Sequence, residues 1–327
     1  MSGLAPAADV VAAGGPRLAG LLERAEARLA EAAAGYGEDL GRHVARTLAA
    51  GGKRLRPTLV FIAAGEATSD HLVEGAVAVE LLHMATLVHD DVLDGGTLRR
   101  GQPTVFAEGG REAATAAGDL LFSRAFAVLA ATGSAGAVRA LSDASSALAR
   151  GELMQREDAW SMNVPTERYL ERCRLKTARL FDAACRLGAL LGEPGRAAAD
   201  GLGAFGDRIG VAFQILDDVL DVSGPTERTG KPRGADLLDG TVTLPLILAR
   251  ERDPTLREVD LRTAVRDEET AGAVADRIIA TGALDDARAA ALGYVADGKR
   301  ALDGLDLSSD QRALLELAAN TAVERYA

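Results

Sequence analysis

The fold class and the chemistry are indicated by two short stretches, Val88-His89-Asp90-Asp91-Val92-Leu93-Asp94 and Ile215-Leu216-Asp217-Asp218-Val219-Leu220-Asp221. Each stretch ends an apolar segment of helical periodicity, and a helix-breaking glycine follows within three residues. Residues four apart lie on the same face of a helix, so Asp90 is expected beside Asp94, and Asp217 beside Asp221. The chain between them shows no comparable repeat. We therefore interpret them as two matching sites and not as a solenoid.

Three carboxylates at a helix C-terminus repel one another and the negative end of the helix dipole. A bound cation is the natural compensation. Carboxylate oxygens favour Mg²⁺ or Ca²⁺, and Mg²⁺ typically uses one or two carboxylates together with substrate phosphates. A single cluster of this kind is often a solvated helix end, but two near-identical copies favour a functional site.

Helical periodicity covers most of the chain, and clear strand signals are absent. Aromatic residues make up only 4%, so the core is expected to consist mainly of Ala, Leu and Val. We predict an all-α protein, with a loose tail over residues 1–16 and a single catalytic helical-bundle domain over residues 17–327. Helices are predicted over residues 18–34, 38–50, 56–67, 72–94, 111–132, 136–159, 166–192, 198–222, 241–251, 268–281, 283–303 and 309–325.

The composition excludes several function classes. With 327 residues, 48% of them hydrophobic and 26% charged, the chain is ordinary for a soluble globular protein. Its net charge of −11 argues against a nucleic-acid partner and against anionic lipid. No uncharged apolar run reaches the ~18 residues of a membrane span, so stable membrane insertion is not expected.

The cysteines and the N-terminus indicate the compartment. Cys173 and Cys185 fall in one predicted helix, roughly 18 Å apart along its axis, which is beyond disulfide reach. They are expected to be reduced core residues. The N-terminus lacks the basic start of a secretory signal, so we predict a cytoplasmic protein.

Basic residues lie beside both acidic clusters. They occur in a glycine-containing loop (Lys53, Arg54, Arg56), directly after the first cluster (Arg99, Arg100), and after the second (Lys231, Arg233). Lys176-Thr177 lies within a predicted helix. Arginine suits bidentate recognition of phosphate, and lysine acts as a point charge. Each basic pair alone is most often a solvated surface feature, but their placement beside the aspartates indicates a phosphate-binding site.

These motifs, in their order over residues 20–325, resemble the trans-isoprenyl diphosphate synthase (polyprenyl synthetase) family, most closely its medium- and long-chain polyprenyl diphosphate synthases. The resemblance implies a single large helical bundle of the isoprenoid synthase type around a central cavity. Asp90, Asp91 and Asp94 match the first aspartate-rich motif of the family, and Asp217, Asp218 and Asp221 match the second. It further implies three Mg²⁺ ions per active site, bound with substrate diphosphate, whose ligands are Asp90, Asp94, Asp217 and Asp221.

The same resemblance assigns roles to other residues. Positions that bind isopentenyl diphosphate are matched by Lys53, Arg56, His83 and Arg100. Positions that grip the allylic diphosphate are matched by Arg99, Lys176 and Lys231, and Thr177 and Gln214 match polar residues of the reaction centre. The segment Gly151-Glu152-Leu153-Met154-Gln155 resembles one that faces this cavity. Many relatives carry lysine where Thr241 stands, so one cation expected at the allylic diphosphate is missing here.

The implied reaction lengthens an allylic diphosphate by isopentenyl diphosphate units. The metal and basic side chains stabilise the departing diphosphate, the allylic C–O bond ionises, and the isopentenyl double bond attacks the resulting cation. Loss of a proton, to the released diphosphate, then restores an alkene. The resemblance also implies a homodimer.

Product length is predicted from the helix before Asp90. In the resembled family the growing tail passes residues about one turn before this aspartate, here Ala85 and Thr86, and a small residue there permits a long product. Ala85 has an alternative role, since it would also permit close helix packing. We favour a product longer than geranylgeranyl, with geranylgeranyl diphosphate synthase as the alternative. Phe122 and Phe126 are candidates for closing the channel lower down.

Two further alternatives remain at this point. A terpene cyclase shares the first aspartate motif, but it normally has a different second metal motif and has no need of Lys53 and Arg56. A non-catalytic subunit of a heteromeric synthase would be expected to have lost one cluster, and this chain keeps both.

Overall fold

The structure is a computed structural model, and it describes residues 5–32, 34, 38–49, 52–99, 101–224 and 233–324. The first half contains helices α1 Ala5–Ala13, α2 Gly15–Ala32, α3 Glu38–Ala49, α4 Leu55–Ala63, α5 Asp70–Asp94, α6 Val105–Ala131 and α7 Ala135–Asp158. The strands β1 Leu98–Arg99 and β2 Gln102–Pro103 form a short antiparallel hairpin between α5 and α6.

The second half is also helical. Helix α8 Thr166–Cys173 passes through a π-helical turn at Arg174–Ala178 into α9 Arg179–Leu191, and α10 Gly195–Ser223 follows. The remaining helices are α11 Ala235–Leu238, α12 Leu244–Arg252, α13 Pro254–Arg257, α14 Leu261–Ala264, α15 Glu268–Ala280, α16 Ala283–Ala301 and α17 Ser309–Glu324. The predicted all-α class is confirmed.

Helices α5 and α10 run through the core and position the site. Helix α5 packs against α6, α9 and α4, and α10 packs against α9 and α16. The buried apolar residues of these helices belong to one hydrophobic cluster, rich in Ala, Leu and Val. Because α5 ends at Asp94 and α10 at Ser223, both acidic clusters lie at the C-terminal ends of central helices.

Two expectations are corrected. Residues 5–16, predicted as part of a loose tail, contain α1, which packs against α17 and buries Val10. Helix α6 begins at Val105 and not at 111, because the chain resumes its helix after a kink at Gly110, whose φ of 74° suits glycine.

Two helices, α5 and α6, are long and apolar enough to cross a membrane by length and composition alone. Of the most apolar window in each helix, 72% is buried for α5 and 33% for α6. Helix α5 is therefore a core helix of the bundle, and α6 presents much of its apolar surface on the outside.

Candidate active site

The C-terminal ends of α5 and α10 meet at a polar cavity of about 300 Å³. Its acidic lining residues are Asp90, Asp94, Asp217, Asp218, Asp236 and Asp239. Its basic lining residues are Arg56, Arg99, Arg172 and Lys176. A larger groove, of about 910 Å³, lies between α7, α9 and α10, but neither aspartate cluster lines it. The sequence therefore predicted the polar cavity, and the larger groove has no connection with the motifs.

The three aspartates of the first cluster lie in two different environments. Asp90 and Asp94 line the cavity, and Asp94 also pairs with Arg156 at 3.3 Å. Burial, followed by the nearby charges of Glu152 and Asp94, raises the pKa of Asp90 to about 6 against the opposing effect of Lys176 and Arg99. A cation bound here would relieve that repulsion.

Asp91, by contrast, is buried and is not among the residues that line the cavity. It accepts hydrogen bonds from Arg99 Nε and Nη2 at 3.0 and 2.8 Å. Asp91 thus holds Arg99, and a role of its own at the reaction centre stays a prediction. Arg99 itself lines the cavity, as predicted, at the end of the hairpin strand β1.

The second cluster divides in the same way. Asp217 is exposed and lines the cavity. Asp218 is buried, accepts from Tyr169 Oη at 2.6 Å and from Gln214 Nε2 at 2.7 Å, and so is held by both carboxylate oxygens. Burial, with Asp236 close by, raises the pKa of Asp218 to about 8. This carboxyl therefore resists ionisation.

Asp221 is not among the residues lining the cavity. Its Oδ2 accepts from the Asp236 backbone N–H at 3.3 Å, and its carbonyl accepts from Gly234 N–H at 2.9 Å. Asp221 therefore also contacts the start of α11, and its role beside Asp217 as a metal ligand stays a prediction. Asp236 and Asp239, which the sequence analysis did not select, line the cavity in its place.

A chain of hydrogen bonds connects the π-helical turn after α8 with helix α10. Thr177 Oγ1 donates to Gln214 Oε1 at 2.6 Å, and Gln214 in turn donates to Asp218. Thr177 belongs to the π-helical turn, a feature that is frequent at functional sites. A Cβ on Gly151 would lie 2.5 Å from the Lys176 backbone nitrogen, and one on Gly210 2.5 Å from Ala178 Cα. These two glycines let α7 and α10 approach the turn from either side.

Lys176 lines the cavity and points to the segment that the sequence singled out. Its Nζ lies 2.6 Å from Glu152 Oε2 and donates to Gln155 Oε1 at 3.2 Å. Gln155 lines the polar cavity, and Glu152 lines an adjoining apolar cleft. Residues of α7 thus hold Lys176 where the polar cavity meets the apolar cleft.

The predicted basic loop supplies Arg56 to the cavity. Arg56 lies over the Phe181 ring, 4.7 Å from its centroid, and burial lowers its pKa to about 10. It is therefore still protonated at neutral pH. His83 and Thr86 on α5 also line the cavity, whereas Lys53 is half-buried and does not. Arg100 and Lys231 lie outside the described residues.

Arg54, to which no role was assigned, fixes this loop. It has a φ of 47°, a left-handed conformation that is strained for a side chain other than glycine. Its guanidinium lies 2.7 Å from the buried carboxylate of Glu80 on α5 and also pairs with Glu26 on α2. These ion pairs hold the backbone between Lys53 and Arg56. No local pattern could have shown this, because Glu80 is 26 residues away.

An apolar cleft of about 620 Å³ continues from the polar cavity between α5, α6 and α7. Thr86, Asp90, Leu148 and Lys176 line both spaces. The rest of the cleft includes Leu82, Leu93, Phe122 and Leu153, the last two of which are 37% and 62% exposed. The cleft is therefore open to the outside at α6.

Ala85 lines neither space and is completely buried. Its place beside the product channel stays a prediction, and its complete burial fits the alternative role in close helix packing. Five residues turn a helix by about 500°, which places Ala85 about 140° away from Asp90, whereas Thr86 is only about 40° away. Thr86 is the residue of this pair that faces the site, and its hydroxyl donates to the His83 carbonyl at 2.8 Å.

The carboxylates fit a hard cation shared with a ligand. Within the described residues, no three or more His, Cys, Asp or Glu side chains converge as a ready-made metal site. Asp90, Asp94 and Asp217 nevertheless line one cavity, and Mg²⁺ is usually bound by one or two carboxylates with substrate phosphates completing its shell. The donor set therefore suits Mg²⁺ held jointly with a phosphate, and does not suit an all-protein cage.

Comparison with known proteins agrees with this geometry. A family model described as polyprenyl synthetase matches residues 38–281. The chain is 38% identical to the heptaprenyl diphosphate synthase component 2 of Geobacillus stearothermophilus over 85% of this chain and 88% of that protein. It is 37% identical to the geranylgeranyl diphosphate synthase of Methanosarcina mazei, with 82% and 85% covered. A polyprenyl synthase from Caulobacter crescentus, solved with calcium and isoprenyl diphosphate, superposes with a TM-score of 0.87 at 35% identity, covering 98% of both chains.

Proposed function

The chain belongs to the polyprenyl synthetase family and is a chain-elongating trans-prenyltransferase, and we propose that it uses Mg²⁺ to extend an allylic diphosphate beyond the geranylgeranyl length as a homodimer. The substrates would be isopentenyl diphosphate and an allylic diphosphate. Family membership decides against the terpene cyclase alternative. The cytoplasmic location stays a prediction from the sequence.

The residues of the polar cavity would have different roles in the reaction. Arg99 and Lys176 would bind the allylic diphosphate, and Arg56 and His83 would bind isopentenyl diphosphate; all four line the polar cavity. Asp90, Asp94 and Asp217 would hold Mg²⁺, which when bound neutralises charge on the diphosphate leaving group. The allylic C–O bond breaks with its electron pair going to the diphosphate. The double bond of isopentenyl diphosphate then forms the new C–C bond, and a proton leaves to the diphosphate.

Thr177 and Gln214 contribute polarity without a strong base. The Thr177 hydroxyl donates to Gln214, and Gln214 donates to Asp218, so both side-chain dipoles are held in fixed orientations. Oriented dipoles of this kind stabilise a developing positive charge without trapping it. A carbocation reaction needs such an environment, because a nucleophilic side chain would be alkylated.

The proposal of a long product rests on one observation: the polar cavity continues into the apolar cleft. Thr86 and Asp90 line both spaces, so a tail attached at the diphosphate site can enter the cleft directly. The cleft is apolar and ends at the exposed Phe122 and Leu153, which leave no closed floor within the described chain. Apolar lining favours burial of hydrocarbon from water.

A geranylgeranyl product is the second candidate. Its support is the similarity to the Methanosarcina mazei enzyme, which at 37% identity is as strong as the similarity to the heptaprenyl component. Sequence identity therefore does not separate the two lengths. The open end of the cleft is what favours the longer product.

The outer face of α6 supports a second copy of the chain. Only 33% of its most apolar window is buried within the single chain. An exposed apolar face of this kind is typical of an interface. The Geobacillus stearothermophilus relative is named a component, so the competing proposal is a different subunit on the same face.

Purified protein incubated with isopentenyl and farnesyl diphosphates plus Mg²⁺ tests all three parts. We expect products longer than geranylgeranyl diphosphate, and loss of activity on exhaustive chelation with recovery on adding Mg²⁺. Activity that survives chelation would exclude the metal requirement, and a product that stops at geranylgeranyl would support the second candidate. Sedimentation showing only a 33.9 kDa species, together with inactivity, would favour the two-component alternative.

A further inference from the structure

Trp160, the only tryptophan of the chain, has a strained backbone close to the polar cavity. It lies in the loop between α7 and α8, and its φ of 65° is a left-handed conformation that bulky residues rarely adopt. In the described part of the chain, Arg54 is the only other residue besides glycine with a positive φ. Such strain persists only where the surrounding structure enforces it, and it is concentrated at functional sites. The contacts of Trp160 therefore indicate its role.

The backbone and the indole of Trp160 both contact Gly240. The Trp160 N–H donates to the Gly240 carbonyl at 2.7 Å. Gly240 is buried, and a Cβ on it would lie 2.3 Å from the indole atoms Cδ2 and Cε2, so the ring lies directly against the glycine backbone. The Arg262 guanidinium also lies over this ring, 5.9 Å from its centroid. Trp160 thus holds the turn at Gly240 by one hydrogen bond and by close packing.

The turn at Gly240 carries part of the cavity wall. Asp239 and Thr241, its neighbours in sequence, both line the polar cavity, and the Thr241 N–H donates to the Asp236 carbonyl at 2.7 Å. Asp236 and Asp239 share this cavity with the acidic end of α10, so like charges repel the turn from that helix. Trp160 does not line the cavity, and it therefore opposes this displacement from outside it.

We propose that Trp160 is a positioning residue, which fixes Asp239 and Thr241 where the cavity binds Mg²⁺ and diphosphate. The inference rests on the proposed function, and it adds a residue that acts through the turn at Gly240 without touching the substrate. The competing explanation is that Trp160 only stabilises the fold.

A double-mutant cycle between Trp160 and Asp239 separates these explanations. Calorimetry measures the binding of inorganic pyrophosphate with Mg²⁺ to the wild type, Trp160→Ala, Asp239→Asn and the double variant. We expect each single variant to weaken binding about 10-fold, because a carboxylate that attracts Mg²⁺ is displaced or removed. The double variant should also lose about 10-fold, and not about 100-fold, because residues that act through one contact are not additive. The KM for farnesyl diphosphate should follow the same pattern, while the KM for isopentenyl diphosphate changes little.

Met162→Ala is the matched control. Met162 lies in the same loop and is partly buried against the core, but it does not line the cavity. We expect this variant to lower the Tm and to leave the pyrophosphate affinity unchanged. If Trp160→Ala fails to fold, Trp160→Gly replaces it in the cycle, because glycine adopts a positive φ without strain and also lacks the ring.

Unchanged pyrophosphate affinity in the folded Trp160 variant would overturn the inference. A loss of about 100-fold in the double variant would also overturn it, since Trp160 would then not act through Asp239. A wild-type enzyme that binds Mg²⁺ and pyrophosphate but elongates no allylic diphosphate would instead contradict the proposed function, and the binding measurements would still decide the role of Trp160.

Discussion

Tyr169 donates a hydrogen bond from its hydroxyl to Asp218 Oδ2 over 2.6 Å, and both side chains are buried. Because Gln214 Nε2 donates to the other carboxylate oxygen, Asp218 has little capacity left for a metal ion. Its function is to orient Gln214, which accepts from Thr177. The middle aspartate of the second motif is therefore a positioning residue.

Tyr169→Phe should weaken this arrangement. We expect turnover to fall about 10-fold, because Gln214 and Thr177 lose their fixed orientation. The free energy of unfolding should fall by about 1–3 kcal/mol, since a buried acceptor is left with one donor fewer. Steady-state kinetics and denaturant unfolding measure the two effects.

Tyr294→Phe is the control, because Tyr294 on α16 is only partly buried and its hydroxyl makes no hydrogen bond within the described chain. It should leave turnover and stability near the wild-type values. Full turnover in Tyr169→Phe would show that Asp218 does not need this donor.

Glu80→Gln should disturb the basic loop from a distance. Glu80 is the buried partner of Arg54 and also raises the pKa of Arg56 against the effect of burial. Breaking a buried pair typically costs about 3–5 kcal/mol, so a large loss of stability is expected. The KM for isopentenyl diphosphate should rise as the loop carrying Lys53 and Arg56 loosens.

Glu26→Gln is matched to it, because Glu26 pairs with the same guanidinium but its side chain is 50% exposed. Exposed pairs contribute about 0–1 kcal/mol, so this variant should stay close to wild type. Equal losses in the two variants would contradict the role given to the buried pair.

Asp90→Asn should stabilise the metal-free enzyme at neutral pH while abolishing most of its turnover. Burial raises the pKa of Asp90 to about 6, above the value of about 3.9 in the unfolded chain. Below about pH 4 the group is protonated in both states and has no effect. Between about pH 4 and about pH 6 the unfolded chain has lost this proton while the folded group keeps it, so the penalty on folding grows over that range and stays constant above it. Asparagine lacks this penalty.

Melting temperatures of the metal-free proteins at about pH 4 and about pH 7.5 measure this effect. The advantage of Asp90→Asn should appear only at the higher pH. Asp94→Asn, whose side chain is 47% exposed, should show a smaller difference. An advantage of equal size at both pH values would mean that ionisation of Asp90 is not its cause.

The sequence predicted the helices well because their signals are local. Apolar periodicity and breakers at Glu193-Pro194-Gly195 and Ser223-Gly224 bound α10 to within three residues of its observed limits, Gly195–Ser223. The hairpin around Arg99 was missed, since two-residue strands carry no pattern. The π-helical turn was missed as well; it lies where Gly151 and Gly210 let two other helices approach closely, a tertiary contact that local sequence does not show.

Within the site, the spacing of the sequence motifs located the aspartates but did not show which way each side chain points. Asp91 and Asp221 share motifs with residues that line the cavity, yet Arg99 and the backbone of Asp236 bind them elsewhere. Such partners are tertiary and cannot be read from a motif. The position of Ala85 was different, because the helical angle between it and Asp90 already separated it from the site.

Thr86→Phe should therefore shorten the product, and Ala85→Phe should not. Thr86 lines both the polar cavity and the apolar cleft, so an added ring lies across the path between them. We expect the first condensation to continue and the product to shift toward farnesyl or geranylgeranyl diphosphate. Ala85 is completely buried in the core, where an added ring typically costs about 1–3 kcal/mol of stability.

Product length and melting temperature, measured on both variants, distinguish a residue that lines the product channel from one that packs in the core. Thr86→Phe should show a shorter product with a nearly unchanged Tm, and Ala85→Phe a lower Tm with the wild-type product profile. Thr86→Val serves as the control, because it removes the hydroxyl that bonds to His83 without adding bulk, and its product should stay long. A shortened product from Ala85→Phe with a full-length product from Thr86→Phe would place the tail on the other side of α5, away from the cleft that Leu153 and Phe122 line.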